Sequence, residues 1–148
     1  MGQLYISKKV DFDAAHFLPY HSGKCHKMHG HRWTVEIMVT RSINEIPDGP
    51  EKGMVVDYSV LKNFLNKYVV GKLDHRVIND VLFNPTAENI SEYIAEQWYI
   101  FAAIGLHNDI KLAAVKVWET PDSKAIWMNE PEIDRGNNSL NMIEGEIK

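Results

Sequence analysis

The stretch Trp33-Thr-Val-Glu-Ile-Met-Val39 decides the fold class of this chain, because its large apolar side chains recur at every second position. Alternation with a period of two puts those side chains on one face of an extended strand. Residues 4–16 carry β-branched, aromatic and apolar side chains in rough alternation, and they predict a strand that precedes it. The chain therefore begins with two strands that can pair with each other.

Two amphipathic helices are predicted in the middle of the chain. Apolar side chains recur at helical spacing after Asp57, and Gly71 is placed to end this first helix. Thr86 can cap the second helix with its hydroxyl group, and Gly105 ends the apolar stripe of that helix. Each helix has one apolar face with which it can pack on a sheet.

Two further strands, at residues 110–119 and 124–129, are predicted around a Thr-Pro-Asp-Ser turn. The order strand, strand, helix, helix, strand, strand predicts an α+β fold in which a four-stranded antiparallel sheet carries two helices on one face. Such a sheet has two open edges that can pair with neighbouring subunits, so we expect a closed homo-oligomer. Residues 1–130 form a single predicted domain, and residues 131–148 form a polar C-terminal tail.

Composition limits the classes of function that this chain can have. Its 148 residues are 45% hydrophobic, which suits one compact domain with its own core. The net charge is −4 and no block of Lys and Arg exceeds two residues, so neither a nucleic acid nor a membrane is expected as a partner. No signal-peptide pattern is visible, and the single cysteine fits a reducing compartment. We therefore expect a cytoplasmic protein that acts on a small molecule.

Three histidines have the properties of metal ligands. His29 and His31 are separated by one residue, so they project from the same face of an extended strand. His16 ends the preceding strand, and pairing of the two strands would bring all three imidazoles together. Three neutral nitrogens with one open position are typical of a catalytic zinc site, where the ion acts as a Lewis acid. His21 and His26, in the loop between the strands, are alternative ligands.

Cys25 has two interpretations, because it lies only four residues before His29. Its thiolate could be the fourth ligand that closes a structural zinc site. Alternatively, the thiol stands beside the ion, whose positive charge lowers the thiol pKa and makes the sulfur a base or nucleophile. A chain of this length can fold without a metal, which favours the open catalytic site.

Two acidic positions complete the set of candidate residues. Asp74 and His75 are adjacent after the first helix, and a carboxylate beside an imidazole can support proton exchange. Glu119 ends an apolar strand, where a buried carboxylate would recognise paired donors such as an amidine or a 2-aminopyrimidinone edge. Each group could equally be an ordinary surface charge.

These motifs together resemble the 6-pyruvoyl-tetrahydropterin synthase family, and the resemblance spans residues 4–129. In chain order the motifs are Ala-Ala-His16, Cys25-x-x-x-His29-Gly-His31, Val-Val-Asp57-Tyr, Leu-Asp74-His75, Asn-Pro-Thr86-Ala-Glu88-Asn and Trp-Glu119-Thr. Within the family, the three-residue gap between Cys25 and His29 is similar to that of the 6-carboxytetrahydropterin synthase branch of queuosine biosynthesis. Pyruvoyl-forming members usually have a longer gap.

The resemblance implies a tunnelling fold (T-fold), in which strand edges of several subunits join into a barrel and active sites lie at subunit interfaces. A homohexamer or a homotetramer is expected on this basis. The resemblance also implies a lyase that converts 7,8-dihydroneopterin triphosphate into 6-carboxy-5,6,7,8-tetrahydropterin, acetaldehyde and triphosphate. The alternatives are a 6-pyruvoyl-tetrahydropterin synthase, which eliminates triphosphate, and a pterin-binding protein without turnover.

The resemblance further implies three groups of site residues. The zinc ligands would be His16, His29 and His31; the catalytic residues Cys25, Asp74, His75 and Glu119; and the pterin-binding residues Thr86, Glu88 and Glu119. In these roles Cys25 takes a proton as a thiolate, and Asp74 orients His75 for proton exchange. For the triphosphate the sequence offers only the scattered cations Lys24, Lys27 and Arg32.

Overall fold

A four-stranded antiparallel sheet with helices on one face forms the molecule, as the strand order and spacing predicted. This computed structural model describes residues 2–130, so the predicted tail at 131–148 lies outside the described residues. The strands are β1 (Leu4–His16), β2 (His29–Arg41), β3 (Lys111–Thr120) and β4 (Ser123–Met128). They lie in the order β1-β2-β3-β4, so each strand pairs with its neighbour in the chain.

Two helical runs cover the sheet. The first consists of α1 (Tyr58–Phe64), a π-helical segment (Leu65–Val70) and the short α2 (Gly71–Leu73), and the second is α3 (Ala87–Gly105). The side chain of Asp57 caps α1 by accepting a hydrogen bond from the backbone N–H of Ser59 at 2.7 Å. Thr86 caps α3 as predicted, accepting from the backbone N–H of Asn89 at 3.1 Å. Both N-termini are therefore fixed by local sequence.

The prediction that Gly71 ends the first helix is wrong. Gly71 has a right-handed helical φ of −61°, and the backbone N–H of Asp74 still donates to Val70 at 3.0 Å. A glycine ends a helix readily only where it adopts a left-handed conformation. Here the extra turn buries Leu73 completely, and that burial favours continuation.

The core lies between the helical runs and one face of the sheet. Its strand contribution is the set of apolar side chains that alternate with outward-facing ones: Phe12, Ala14, Trp33, Val35, Ile37, Val39, Leu112, Val115 and Val117. The helices contribute residues such as Leu61, Phe64, Ile94 and Trp98. Each large apolar side chain that is fully buried stabilises the fold by about 1.5–3 kcal/mol before entropy is counted. The alternation thus fixes which face of each strand looks inward.

The outer strands β1 and β4 form the two edges of the sheet. Part of the β1 edge is covered, since Ala15 forms a parallel bridge with Val77 in the segment after the first helical run. Within residues 2–130, no helix has both the length and the apolar composition needed to cross a bilayer.

Candidate metal centre and its neighbours

The predicted metal ligands lie at the ends of the strands, where the alternating core-facing apolar side chains stop. His16 follows Ala14 by two residues on β1, and Glu119 follows Val117 by two residues on β3. In each case the period of two carries the polar side chain onto the core-facing side. On β2 the same alternation runs from the core back to His29 and His31.

Strand register brings these side chains to one point. His16 pairs directly with His29, and Ala14 pairs with His31. The Nε2 atoms of His16 and His29 are 3.1 Å apart. Glu119 Oε1 lies 2.9 Å from His31 Nε2 and 3.7 Å from His16 Nε2. The donor atoms of the four residues all lie within 4.8 Å of one another, and we call them the four-donor cluster.

Backbone carbonyls fix the protons of two of these rings. His16 Nδ1 donates to the carbonyl of Pro85 at 2.8 Å, and His29 Nδ1 donates to that of Lys27 at 2.7 Å. A carbonyl only accepts, so the proton of each neutral ring is on Nδ1 and its Nε2 carries a lone pair. Two facing lone pairs cannot bond to each other. Their 3.1 Å separation is close to the roughly 3.3 Å expected between ligands of a tetrahedral ion with zinc–nitrogen bonds of about 2.0–2.1 Å.

His31 adds a buried polar atom that lacks a hydrogen bond. Its Nε2 is 2.9 Å from Glu119 Oε1, but the direction does not satisfy hydrogen-bond geometry, and the buried atom has no other partner. Leaving such an atom unsatisfied costs about 1–3 kcal/mol. A bound cation would accept its lone pair and remove that cost. The residues present therefore fit a metal ion.

Burial keeps the rings in the metal-binding form. Loss of hydration lowers the pKa of His16, against the opposing hydrogen bond to Pro85 and the charge of Glu119. Burial also lowers the pKa of His31, again against the charge of Glu119. Neutral imidazoles bind metal ions and protonated ones do not. The cluster can thus hold a metal ion at neutral pH.

Cys25 lies outside the four-donor cluster. It belongs to a short 3₁₀ turn (Lys24–His26) and is a half-buried free thiol. Its carbonyl accepts from the backbone N–H of Leu18 at 2.9 Å, which closes the base of the loop. Among the residues described, neither its sulfur nor His21 or His26 is part of the donor set. The sulfur is therefore not one of the clustered donors, and a role of the thiol beside the ion stays a prediction.

The predicted pair Asp74 and His75 forms a second cluster, with Asp13 of β1. Asp74 Oδ2 lies 2.9 Å from His75 Nδ1, and Asp74 Oδ1 accepts from the backbone N–H of Asp13 at 3.0 Å. The backbone N–H of His75 donates to the carbonyl of Asp13 at 2.7 Å. These bonds hold His75 at a φ of 55°, a left-handed conformation that costs a residue with a side chain roughly 1 kcal/mol.

Hydrogen bonds and charge shift the pKa values of Asp74 and His75 in opposite directions. The backbone N–H of Asp13 is the main cause that lowers the pKa of Asp74, and the hydrogen bond to His75 acts in the same direction. The hydrogen bond to Asp74 and its negative charge raise the pKa of His75. His75 therefore holds its proton to a higher pH than a free imidazole does.

Two clefts border the four-donor cluster. One, of about 590 Å³, is lined by both His31 and His75. The other, of about 610 Å³, is lined by His31 and Glu119 together with Trp118. His31 is common to both, so a molecule bound at the cluster could reach either the acid at Glu119 or the imidazole at His75.

Thr86 and Glu88 lie at the start of α3, next to the carbonyl that orients His16. The hydroxyl of Thr86 is used as the helix cap, and Glu88 is exposed in the first turn. Neither is part of a donor cluster in the described residues, and their predicted role in pterin binding stays a prediction. The cation Arg32 contacts the carboxylate of Asp13 at 3.0 Å, which leaves it less free to bind a phosphate.

Sequence reasoning missed the groups that orient the ligands. The carbonyls of Pro85 and Lys27 come from backbone, and any residue type can supply a carbonyl. The missed Asn79 bonds with its side chain to Phe17, directly after His16. In the sequence, the position of Asn79 directly after the apolar Ile78, which is buried, was the only sign that its side chain is used in the structure.

Comparison with known proteins shows which family this chain is similar to. The profile of the 6-pyruvoyl tetrahydropterin synthase family matches residues 5–130. A 6-carboxy-5,6,7,8-tetrahydropterin synthase from Synechocystis sp. is 40% identical over 122 residues, which are 81% of this chain and 89% of the relative. A dihydroneopterin monophosphate aldolase from Pyrococcus furiosus is 34% identical over 114 residues, 77% of this chain and 88% of the relative.

A solved structure supports the same fold. The 6-pyruvoyl tetrahydropterin synthase of Caenorhabditis elegans superposes with a TM-score of 0.70 at 24% identity, over 88% of this chain and 98% of that one. This likeness confirms the subunit architecture of the predicted T-fold, a four-stranded antiparallel sheet with two helices. With a family match that covers most of its length, the chain belongs to the 6-pyruvoyl tetrahydropterin synthase family.

Proposed function

We propose that this chain is a zinc-dependent lyase that converts 7,8-dihydroneopterin triphosphate and water into 6-carboxy-5,6,7,8-tetrahydropterin, acetaldehyde and triphosphate. The observation that carries the proposal is the facing pair of unprotonated Nε2 atoms on His16 and His29, which are 3.1 Å apart. The chain that holds them is 40% identical to a 6-carboxy-5,6,7,8-tetrahydropterin synthase. The short gap between Cys25 and His29 supports the same branch of the family. Water completes the atom balance, because the products contain one oxygen and two hydrogens more than the pterin substrate.

In this proposal His16, His29 and His31 hold zinc through their Nε2 atoms. Bound zinc supplies a Lewis acid that polarises the side-chain oxygens of the pterin and acidifies the neighbouring C–H and O–H groups. The carbonyls of Pro85 and Lys27 keep two of the rings in one tautomer and one orientation. The site is therefore pre-organised before substrate arrives.

Glu119 has two possible partners. Its Oε1 is 2.9 Å from His31 Nε2, so the carboxylate could complete a four-donor shell. It also borders the 610 Å³ cleft, where a carboxylate can accept paired hydrogen bonds from the amino-pyrimidinone edge of a pterin. We assign Glu119 to the pterin, together with Thr86 and Glu88, because a catalytic ion needs an open position for a substrate oxygen.

Two side chains move protons in the proposed reaction. Cys25 accepts a proton from the substrate as a thiolate. His75 exchanges its proton at Nε2, since its Nδ1 is bonded to Asp74. The raised pKa of His75 keeps a larger share of the ring protonated near neutral pH, so it can serve as the proton donor.

We also propose that the protein acts in the cytoplasm as a homohexamer or a homotetramer with active sites at subunit interfaces. Large apolar side chains are exposed on both outer strands, Leu4 and Tyr5 on β1 and Ile126 and Met128 on β4. Apolar side chains on a strand edge favour pairing with another strand over exposure to water.

Product identification tests the proposed activity. The zinc-loaded protein is incubated with 7,8-dihydroneopterin triphosphate, and the released aldehyde is trapped as a hydrazone and identified by mass spectrometry. We expect acetaldehyde and triphosphate in equal amounts, together with the carboxylated pterin.

Three other outcomes would contradict the proposal. A pterin that keeps its three-carbon side chain would identify a pyruvoyl-forming enzyme. Cleavage of dihydroneopterin monophosphate, with no reaction of the triphosphate, would favour the activity for which the Pyrococcus relative is named. Binding of the pterin without any product would identify a protein that has no turnover.

A further inference from the structure

The segment 74–79 lies along the outer edge of β1, where it is bonded to Asp13 and Ala15 and, just past the end of the strand, to Phe17. Asp74 and His75 bond to the backbone of Asp13, as described above. The backbone N–H of Ala15 donates to the carbonyl of Arg76 at 3.0 Å. The segment then continues to Asn79, which lies beside Phe17 just past the end of β1.

Asn79 makes the last contact with its side chain instead of its backbone. Its Oδ1 accepts from the backbone N–H of Phe17 at 2.9 Å, and its Nδ2 donates to the carbonyl of Phe17 at 2.8 Å. Only one orientation of the amide satisfies both bonds, since the flipped orientation would face donor with donor and acceptor with acceptor. The side chain thus fixes both polar backbone groups of a single residue.

Phe17 lies between the metal-binding histidine at the end of β1 and the loop that carries Cys25. It directly follows the metal ligand His16, and the next residue, Leu18, donates its N–H to the carbonyl of Cys25 at 2.9 Å. A shift of the Phe17 peptide would therefore be passed to the turn that carries the thiol. His16 is held independently, since its ring is bonded to the carbonyl of Pro85.

We propose that Asn79 is a positioning residue that sets where the Cys25 thiol lies relative to the metal-binding histidines, through its two bonds to Phe17. The inference rests on the proposed function, because it assigns Cys25 a catalytic role. Asn79 does not touch the substrate; it acts on the base of the loop. It links the segment that carries His75 to the loop that carries Cys25. The two proton-transferring groups therefore lie on segments that this pair of hydrogen bonds joins.

The attachment of the segment does not depend on Asn79. Ile78 is completely buried, and the bonds at Asp13 and Ala15 remain when the amide is changed. A variant at position 79 should therefore fold with the segment in place and lose the restraint on Phe17, together with the longer 3.4 Å bond from Asn79 Nδ2 to the carbonyl of Phe83. Misplacing a reacting group by about 1 Å can lower a rate by about a hundred-fold.

The test is Asn79→Asp, which keeps the acceptor for the Phe17 N–H and replaces the donor with an oxygen that faces the Phe17 carbonyl. We expect kcat to fall by about ten- to a hundred-fold with KM changed by less than about two-fold, because chemistry is impaired and substrate binding is not. Zinc content should equal that of the parent. The rate at which iodoacetamide alkylates the single thiol should change as well.

Asn129→Asp is the matched control, since Asn129 Nδ2 also donates to a backbone carbonyl, that of Leu112 at 3.1 Å, away from the site. We expect it to keep the kcat and the alkylation rate of the parent. Asn79→Ala removes both bonds to Phe17 and the 3.4 Å bond to Phe83 without adding charge, so it separates the geometric effect from a charge effect. It replaces the first variant if that one does not fold.

A folded Asn79 variant with the parental kcat and alkylation rate, even if less stable to urea, would overturn the proposal and leave Asn79 a structural residue only. If the parent itself forms no product, the proposed function fails. The alkylation rate and zinc content then still decide whether Asn79 controls the thiol.

Discussion

Two histidines of this chain, His16 and His75, show how one side chain is adapted to two tasks. His16 follows the core-facing side chains of β1 and is 0% exposed, and burial lowers its pKa. His75 has a side chain that is 79% exposed at the edge of β1, and Asp74 raises its pKa. A buried neutral ring is suited to binding a cation, and an exposed ring beside a carboxylate is suited to carrying a proton. The difference separates the four-donor cluster from the pair Asp74 and His75.

Removing a ring of the four-donor cluster should have the largest effect. His29→Ala deletes one of the two facing Nε2 atoms, so we expect zinc to be lost and activity to fall by several orders of magnitude. Elemental analysis of the purified protein gives the zinc content, and product formation gives the activity. His26→Ala, a loop histidine outside the cluster, is the control and should keep zinc. Equal zinc loss in both variants would place His26 among the ligands and contradict the assignment.

Removing the thiol should have the next largest effect, and it should leave the metal in place. We expect Cys25→Ala to keep zinc and to lower kcat by about 10²–10⁴-fold, since a positioned base contributes that much. The free thiol lies outside the four-donor cluster, so no ligand is lost. Zinc content and pterin binding measured on the same preparation separate the two roles. Loss of zinc from this variant would make Cys25 a structural ligand.

The buried region of the site could be predicted from the sequence, because two strong regularities determine it. The period of two in β2 and the position of His16 at the end of β1 were enough to bring the three imidazoles together. Each histidine lies in line with apolar core residues, so the hydrophobic pattern also fixes the direction of the ring. Glu119 was recognised as an outlier, although its 2.9 Å approach to His31 depends on the register of β3, which no local pattern gives.

The exposed region could be predicted only in part. Adjacent Asp74 and His75 were visible, but their attachment to Asp13 uses backbone groups far away in the chain. The left-handed φ of His75 and the two bonds from Asn79 to Phe17 have no sequence signature of their own. The continuation of the helix past Gly71 also depends on tertiary burial of Leu73. Non-local contacts between irregular segments are the part that local pattern does not determine.

Neutralising Asp74 tests why the exposed histidine behaves differently. Asp74→Asn removes the carboxylate that raises the pKa of His75, so that pKa should fall toward the ordinary value of 6.5. The ring then loses its proton at a lower pH, and the alkaline limb of the kcat profile should move to lower pH. We expect kcat at neutral pH to fall by about ten-fold or less, because a smaller share of the ring is then protonated. An NMR titration of His75 measures the shift directly, and an unchanged titration would show that Asp74 does not control the ring.

The smallest effect is expected at Asp13, whose backbone and side chain have separate tasks. Its N–H and carbonyl bond to Asp74 and His75, whereas its carboxylate faces Arg32 at 3.0 Å in an exposed ion pair. Asp13→Asn keeps the backbone bonds and removes only a charge, which is the least of the causes acting on the pKa of His75. We expect the His75 titration to move slightly toward lower pH, by less than in Asp74→Asn.

The same variant should change the free energy of unfolding by about 0.5 kcal/mol or less, the usual range for an exposed ion pair. Its kcat should stay within about two-fold of the parent, because the position of His75 depends on backbone bonds that a side-chain change leaves intact. Urea unfolding and the kcat profile measure the two quantities. A loss as large as that of Asp74→Asn would mean that the Asp13 carboxylate itself takes part in proton exchange. The exposed cluster would then act as a group of three titrating residues, in contrast to His16, whose pKa is lowered mainly by burial.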